Sequence, residues 1–166
     1  FPVWFYLNNT RFSVYKEFNM RSRICLFSFL TVIGLGLTPA FAHEGVKNPA
    51  VKARMILMQE VKTSFGQIGQ MAKGAVAFDA QDAQAAKARL LKASQAVVDK
   101  FQANETDPLS QAAPAIWKNW DDFVAKSTAF EAAIEVLDVS DLAALRGGMR
   151  AIGGGCMACH KSYKTD

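Results

Sequence analysis

Cys156-Met157-Ala158-Cys159-His160, close to the C-terminal end of the 166-residue sequence, is the stretch whose reading decides the rest. Its form is C-x-x-C-H, the signal for covalent haem attachment: two thiols take up the haem vinyl groups as thioethers, and the next residue is an axial ligand to iron. On a helix, Cys156 and Cys159 lie at i and i+3, and His160 lies at i+4 from Cys156, so all three share a face. One helical turn then holds both the porphyrin and its iron.

Three plainer readings compete. A thioredoxin-like C-x-x-C opens a helix after a strand, and no stretch here has a convincing strand pattern. A zinc site needs further ligands, and the only other histidine is His43. A structural disulfide stays open for an exported protein. The adjacent histidine and the export signal described next both agree with haem.

Residues 1–19 contain no Met and hold seven of the eighteen aromatics without a clean period. They read as sequence upstream of the true start, outside the fold. From Met20 the pattern is that of a secretory signal. Arg21 and Arg23 form a basic region, Ile24 to Leu37 an apolar one, and Ala40-Phe41-Ala42 a small-x-small cleavage site after Pro39. Residues 20–42 are thus expected to be removed, leaving 43–166 in a periplasmic compartment. A retained membrane anchor is the alternative, since the apolar stretch approaches the ~20 residues of a spanning helix.

Removing Arg11, Lys16, Glu17, Arg21 and Arg23 leaves 15 Lys or Arg against 14 Asp or Glu, a net charge of +1. Two haem propionates would make the loaded protein slightly acidic. The basic pI of the whole sequence is therefore no argument for nucleic-acid binding. Cys25 leaves with the signal, so Cys156 and Cys159 are the cysteines of the expected mature chain.

Four helical segments follow. The first starts at Asn48-Pro49, an N-cap and a proline at the first helical position, and runs to about Lys73 before Gly74. Val51, Met55, Met58, Val61, Phe65, Ile68 and Met71 or Ala72 form its expected buried stripe. Asp79 or Asp82 caps a second helix to about Ala103, in which Ser94 can bond back to the Leu90 carbonyl. After a polar loop from Asn104 to Ala113, a third helix opens near Pro114. Asp138 to Asp141 has capping-box chemistry, and a fourth helix runs through Leu145 and Ile152 into the haem motif. The expected fold is all-α, an antiparallel four-helix bundle with one covalently bound haem near the C-terminus. Glycines just before Cys156 are expected to let the porphyrin or a neighbouring helix lie against bare backbone.

The ordered set of Arg54-Met-Ile-Leu-Met58, Ala72-Lys73-Gly74, Phe78-Asp79, Pro114-Ala-Ile-Trp117, the C-x-x-C-H motif and Tyr163 resembles the cytochrome c prime family, the class II c-type cytochromes. The resemblance covers essentially all of 48–164. It implies one haem c per chain, attached through Cys156 and Cys159, with His160 as axial ligand. It also places Met58, sixteen residues before Gly74, on the distal side of the haem. Low-spin relatives have methionine there and a six-coordinate iron; high-spin relatives have an apolar non-ligand and bind small gases.

His160/Met58 ligation implies an exported electron carrier cycling between Fe(II) and Fe(III) with redox-protein partners, and no enzyme activity. The alternative is a protein binding nitric oxide or carbon monoxide at the distal face. His43 is a competing sixth ligand, and Arg54, one turn before Met58, is expected at a haem propionate. Lys164 departs from the Arg common four residues after the haem histidine, which weakens any transfer of proximal-side gas chemistry. Once the signal is cleaved no stable membrane insertion is expected, and the resemblance leaves homodimer formation open.

Overall fold

The computed structural model describes residues 45–165. The readings of 1–19, 20–42 and His43 lie outside the described residues. Asn48 opens α1 (Pro49–Lys73) by accepting hydrogen bonds from the Ala50 and Val51 N–H groups, and Pro49 loses nothing by lacking a donor in the first turn. Gly74 closes it at φ 76°, a left-handed conformation that glycine adopts without penalty, and its N–H reaches back to the Gln70 and Met71 carbonyls.

Asp79 caps α2 (Ala80–Gln95) through the Asp82 N–H. The single second helix expected to about Ala103 is interrupted at Ala96 and resumes as α3 (Val97–Phe101). Just before the break the Ser94 hydroxyl donates to the Leu91 carbonyl at 2.8 Å, not to Leu90. A side chain competing for a carbonyl in the last turn weakens the helix ladder there. The third helix is divided too, into α4 (Ala115–Lys118) and α5 (Trp120–Glu135), with Asn119 non-helical at φ −128° and ψ 48°. Asp141 caps α6 (Leu142–Tyr163) through the Ala143 and Ala144 N–H groups, while Asp138 makes a separate turn with the Ser140 N–H.

These pieces form the four-helix bundle: α1 packs chiefly on α2, α5 on α6, and contacts of α1 with α6 and α2 with α5 close it. Ile68, Leu90, Ile134, Leu145 and Ile152 are fully buried between them. The polar loop after α3 is stitched to the chain end, with the Ala113 N–H donating to the Tyr163 carbonyl and the Thr165 N–H to that of Gln111, both at 2.9 Å. Among the described residues no helix is long and apolar enough to cross a membrane.

The buried line of α1 differs from the expected stripe. Arg54, Leu57 and Ser64 are buried, whereas Met55, Met58 and Phe65, one position further on, are half-buried. A helical face is broad enough to hold two adjacent lines. Leu57, Val61 and Ile68 pack in the bundle, while Met55 and Met58 border the cavity described below.

The glycines divide in the same way. A Cβ at Gly155 would sit 2.9 Å from Phe130 Cδ2 and 3.3 Å from Phe130 Cα, and one at Gly148 would sit 2.3 Å from Leu137 Cδ1. Gly153 and Gly154 have no protein atom within 4 Å of that position, so neither serves a close approach of a neighbouring helix. Gly155→Ala should therefore force α5 and α6 apart and cost about 1–3 kcal/mol. Gly154→Ala should stabilise by about 0.5–1 kcal/mol through helix propensity. Urea denaturation of the two holoprotein variants checks this, and equal midpoints would contradict the packing.

Candidate haem-binding site

A mostly apolar cavity of about 190 Å³ lies between the helices, and it gathers the residues of the C-x-x-C-H motif with Met58. Cys156, Cys159 and His160 enter from α6, and Met58 enters from α1. Val51, Val97, Ile116, Phe123 and Phe130 supply apolar wall. Cys156 and Cys159 are free thiols, half-buried, on one face of α6. Burial pushes both thiols above their usual pKa, so they stand neutral. Desolvation, with a smaller contribution from Lys164, pulls the exposed His160 below the usual imidazole value and leaves a ring lone pair available.

This set fits haem. Two thiols three residues apart match two vinyl groups, the neutral imidazole is an iron ligand, and the apolar wall suits the flat face of a macrocycle. Among the described residues no group of three or more His, Cys, Asp or Glu side chains is assembled that could hold a bare metal ion.

Two features were not legible in the sequence. Met55, read as core filler with Met71, shares the cavity with Met58, whereas Met71 is 4 % exposed in the core. Ser127, 4 % exposed on α5, lines the cavity as well. Neither belongs to a motif, and helical spacing cannot separate a cavity wall from a packed core.

Arg54 is 3 % exposed and ties α1 to the segment after α3. Its Nε donates to the Lys100 carbonyl at 3.0 Å, one terminal nitrogen to that of Glu105 at 2.8 Å, and the other to that of Ala103. The guanidinium lies 5.2 Å from the Phe101 ring centre and 5.1 Å from that of Trp117. Trp117 Nε1 donates to the Phe101 carbonyl, which completes the cluster. The propionate contact expected of Arg54 would have to use the donors that these carbonyls leave free.

On the α5 side of the cavity, Tyr163 packs edge-on to Phe123 with ring centres 5.5 Å apart. Its hydroxyl donates to the Asp122 carboxylate, which also receives Lys126. The hydrogen bond to Asp122, helped by burial, pushes the Tyr163 phenol up to about 12. Lys126 and then Tyr163 hold Asp122 below the usual carboxylate range.

The sequence model of the family described as Cytochrome C′ matches residues 49–164. Cytochrome c-556 of Agrobacterium tumefaciens (strain apple 185) is 33% identical over 116 residues, covering 68% of this chain and 91% of that protein. The structure of cytochrome c′ from Rhodobacter Spheriodes superposes with a TM-score of 0.66 at 28% identity, over 70% of this chain and 95% of that one. A point mutant of cytochrome c prime from Alcaligenes xylosoxidans, solved as its nitric oxide complex, gives a TM-score of 0.64 at 30% identity, over 70% and 94% of the two chains.

The Tyr163 bond makes stability depend on pH at both ends. A phenol with a raised folded pKa contributes fully below the unfolded tyrosine value of about 10 and loses its contribution as pH rises through about 12. Asp122, with a lowered folded pKa, contributes above the ordinary carboxylate value and loses its contribution as pH falls through the lowered one. The stability advantage of the wild type over Tyr163→Phe should thus be flat near neutrality and shrink towards both extremes. Urea midpoints measured across pH check this; a constant difference would contradict it.

Proposed function

The chain belongs to the cytochrome c′ family, and from that premise we propose that it is an exported, periplasmic one-haem electron carrier with His160 and Met58 as axial ligands. As a member it is a c-type cytochrome with covalently bound haem c. The observation that carries the finer reading is the meeting of Met58 with Cys156, Cys159 and His160 in one cavity.

Haem supplies a one-electron Fe(III)/Fe(II) couple. The chain's residues do the rest. Cys156 and Cys159 fix the ring to α6, and His160 presents a neutral imidazole. Met58 presents a soft thioether, which favours the ferrous state and raises the potential. Val51, Ile116, Phe123 and Phe130 keep water from the site, and a ligand set that stays the same in both oxidation states keeps reorganisation small. The role proposed is transfer between redox proteins, without substrate turnover.

A second reading is favoured by one finding: a point mutant of the similar Alcaligenes xylosoxidans protein was solved with nitric oxide bound. In that reading Met58 packs beside the iron without binding it, and a small gas takes the distal position.

Met58→Ala should turn a low-spin spectrum into a high-spin one, and Met55→Ala should leave it low-spin. Carbon monoxide should bind the ferrous wild type slowly and the Met58→Ala variant promptly. Prompt stoichiometric binding to the wild type, with no spectral change in Met58→Ala, would transfer the function to gas binding.

A further inference from the structure

The outer face of α6 carries a charge pattern that holding haem does not require. From Leu142 to Thr165 the chain has four basic residues, Arg146, Arg150, Lys161 and Lys164, and no Asp or Glu. All four are exposed. The remainder of 43–166 carries 11 basic against 14 acidic residues, so positive charge is segregated onto this one element. At about 100° per residue, Arg146, Arg150, Met157 and Lys161 fall within a sector of about 60°.

Three structural details bear on what this face does. Arg146 is held in place, its Nε donating to the Ala72 carbonyl at 2.7 Å, beside Lys73. Met157 is 64 % exposed, a long apolar side chain between the two haem cysteines, with Arg150 two turns before it and Lys161 one turn after it along the helix. On neighbouring α5, Asp122 is engaged by Lys126 and Tyr163, so its charge is already matched. An exposed apolar centre with a charged rim is the composition of a transient protein interface, in which Met and Arg are enriched.

Resting on the electron-carrier reading, we infer that this face of α6 is the docking surface for an acidic redox-partner protein, with Met157 at the centre of contact. Carboxylates of the partner pair with Arg150 and Lys161, while Lys164, just past α6, lines the cavity. Long-range attraction orients the encounter, and because such pairs are solvent-exposed they affect the association rate more than the final affinity. Met157 shares its helical turn with Cys156 and Cys159, so a partner covering it stands next to the attachment point of the haem. One electron would then pass between the partner's redox centre and the haem, one being oxidised and the other reduced, with no bond made or broken.

The whole-molecule charge makes this testable. Residues 43–166 carry a net +1 before two propionates are added, so a steering effect set by total charge would not favour anions. A local basic face would. Oxidation of the ferrous holoprotein is followed by stopped flow with ferricyanide and, separately, with the tris(phenanthroline)cobalt(III) cation, over a range of salt concentrations. The ferricyanide rate should fall as salt rises. It should drop about tenfold in the Arg150→Glu/Lys161→Glu double variant, where the cobalt rate should rise. The absorption spectrum and reduction potential of the variant should match the wild type. A ferricyanide rate that is indifferent to salt or to the double substitution would overturn the docking face. Failure of the wild type to cycle reversibly in potentiometry would instead overturn the electron-carrier reading.

Discussion

The bundle depends on how closely α6 can approach α5. At Gly155 the α6 backbone lies against Phe130, with no room for a side chain. The next residue is Cys156, so this contact sets the depth at which the haem-bearing turn enters the cavity. Two turns further on, Tyr163 packs on Phe123 and bonds Asp122, which fixes the far end of the same pair of helices. Between these contacts lie Cys159 and His160. A ring attached at two points to one helix can be positioned only as well as that helix is, and α5 holds it on both sides of the motif.

The opposite wall is organised by a charge. Arg54 is buried, which would be costly for an unpaired guanidinium, and the cost is offset by three backbone carbonyls and two aromatic faces. The segment it gathers, 100–105, comprises the end of α3 and the turn after it. Asn48 and Lys47 reach the same region through Asp107, and the Asn48 side chain through Glu105. The start of α1 is thereby tied to the loop beside the cavity, and Met58 stands one turn beyond Arg54 on the same helix. Loop and α1 are thus one unit.

Much of this was legible because it is local. Asn48, Gly74, Asp79 and Asp141 mark helix ends through hydrogen bonds within a few residues; Asn48 and Gly74 act as the sequence suggested, Asp79 is the one of its two candidates that caps α2, and Asp141 caps α6 directly without forming a capping box with Asp138. The C-x-x-C-H motif carries its chemistry in five consecutive residues. The remainder depended on partners distant in the chain. The interruptions at Ala96 and Asn119 have no Pro or Gly to announce them. The burial of Arg54 rests on carbonyls 46 to 51 residues away. Met55 and Met58 look like core because a cavity wall and a packed interface use the same apolar spacing. The five glycines of α6 looked alike, yet only Gly148 and Gly155 meet a neighbour that a side chain would strike.

What distinguishes a carrier of electrons from a binder of gases is a single bond, between the Met58 sulfur and iron. The absorption spectrum of the holoprotein, purified from cells equipped for haem attachment and recorded oxidised and then reduced, reports on that bond directly. The electron-carrier reading predicts a low-spin spectrum in both states and, when oxidised, the weak long-wavelength band of a sulfur-to-iron bond. A high-spin, five-coordinate spectrum would contradict it.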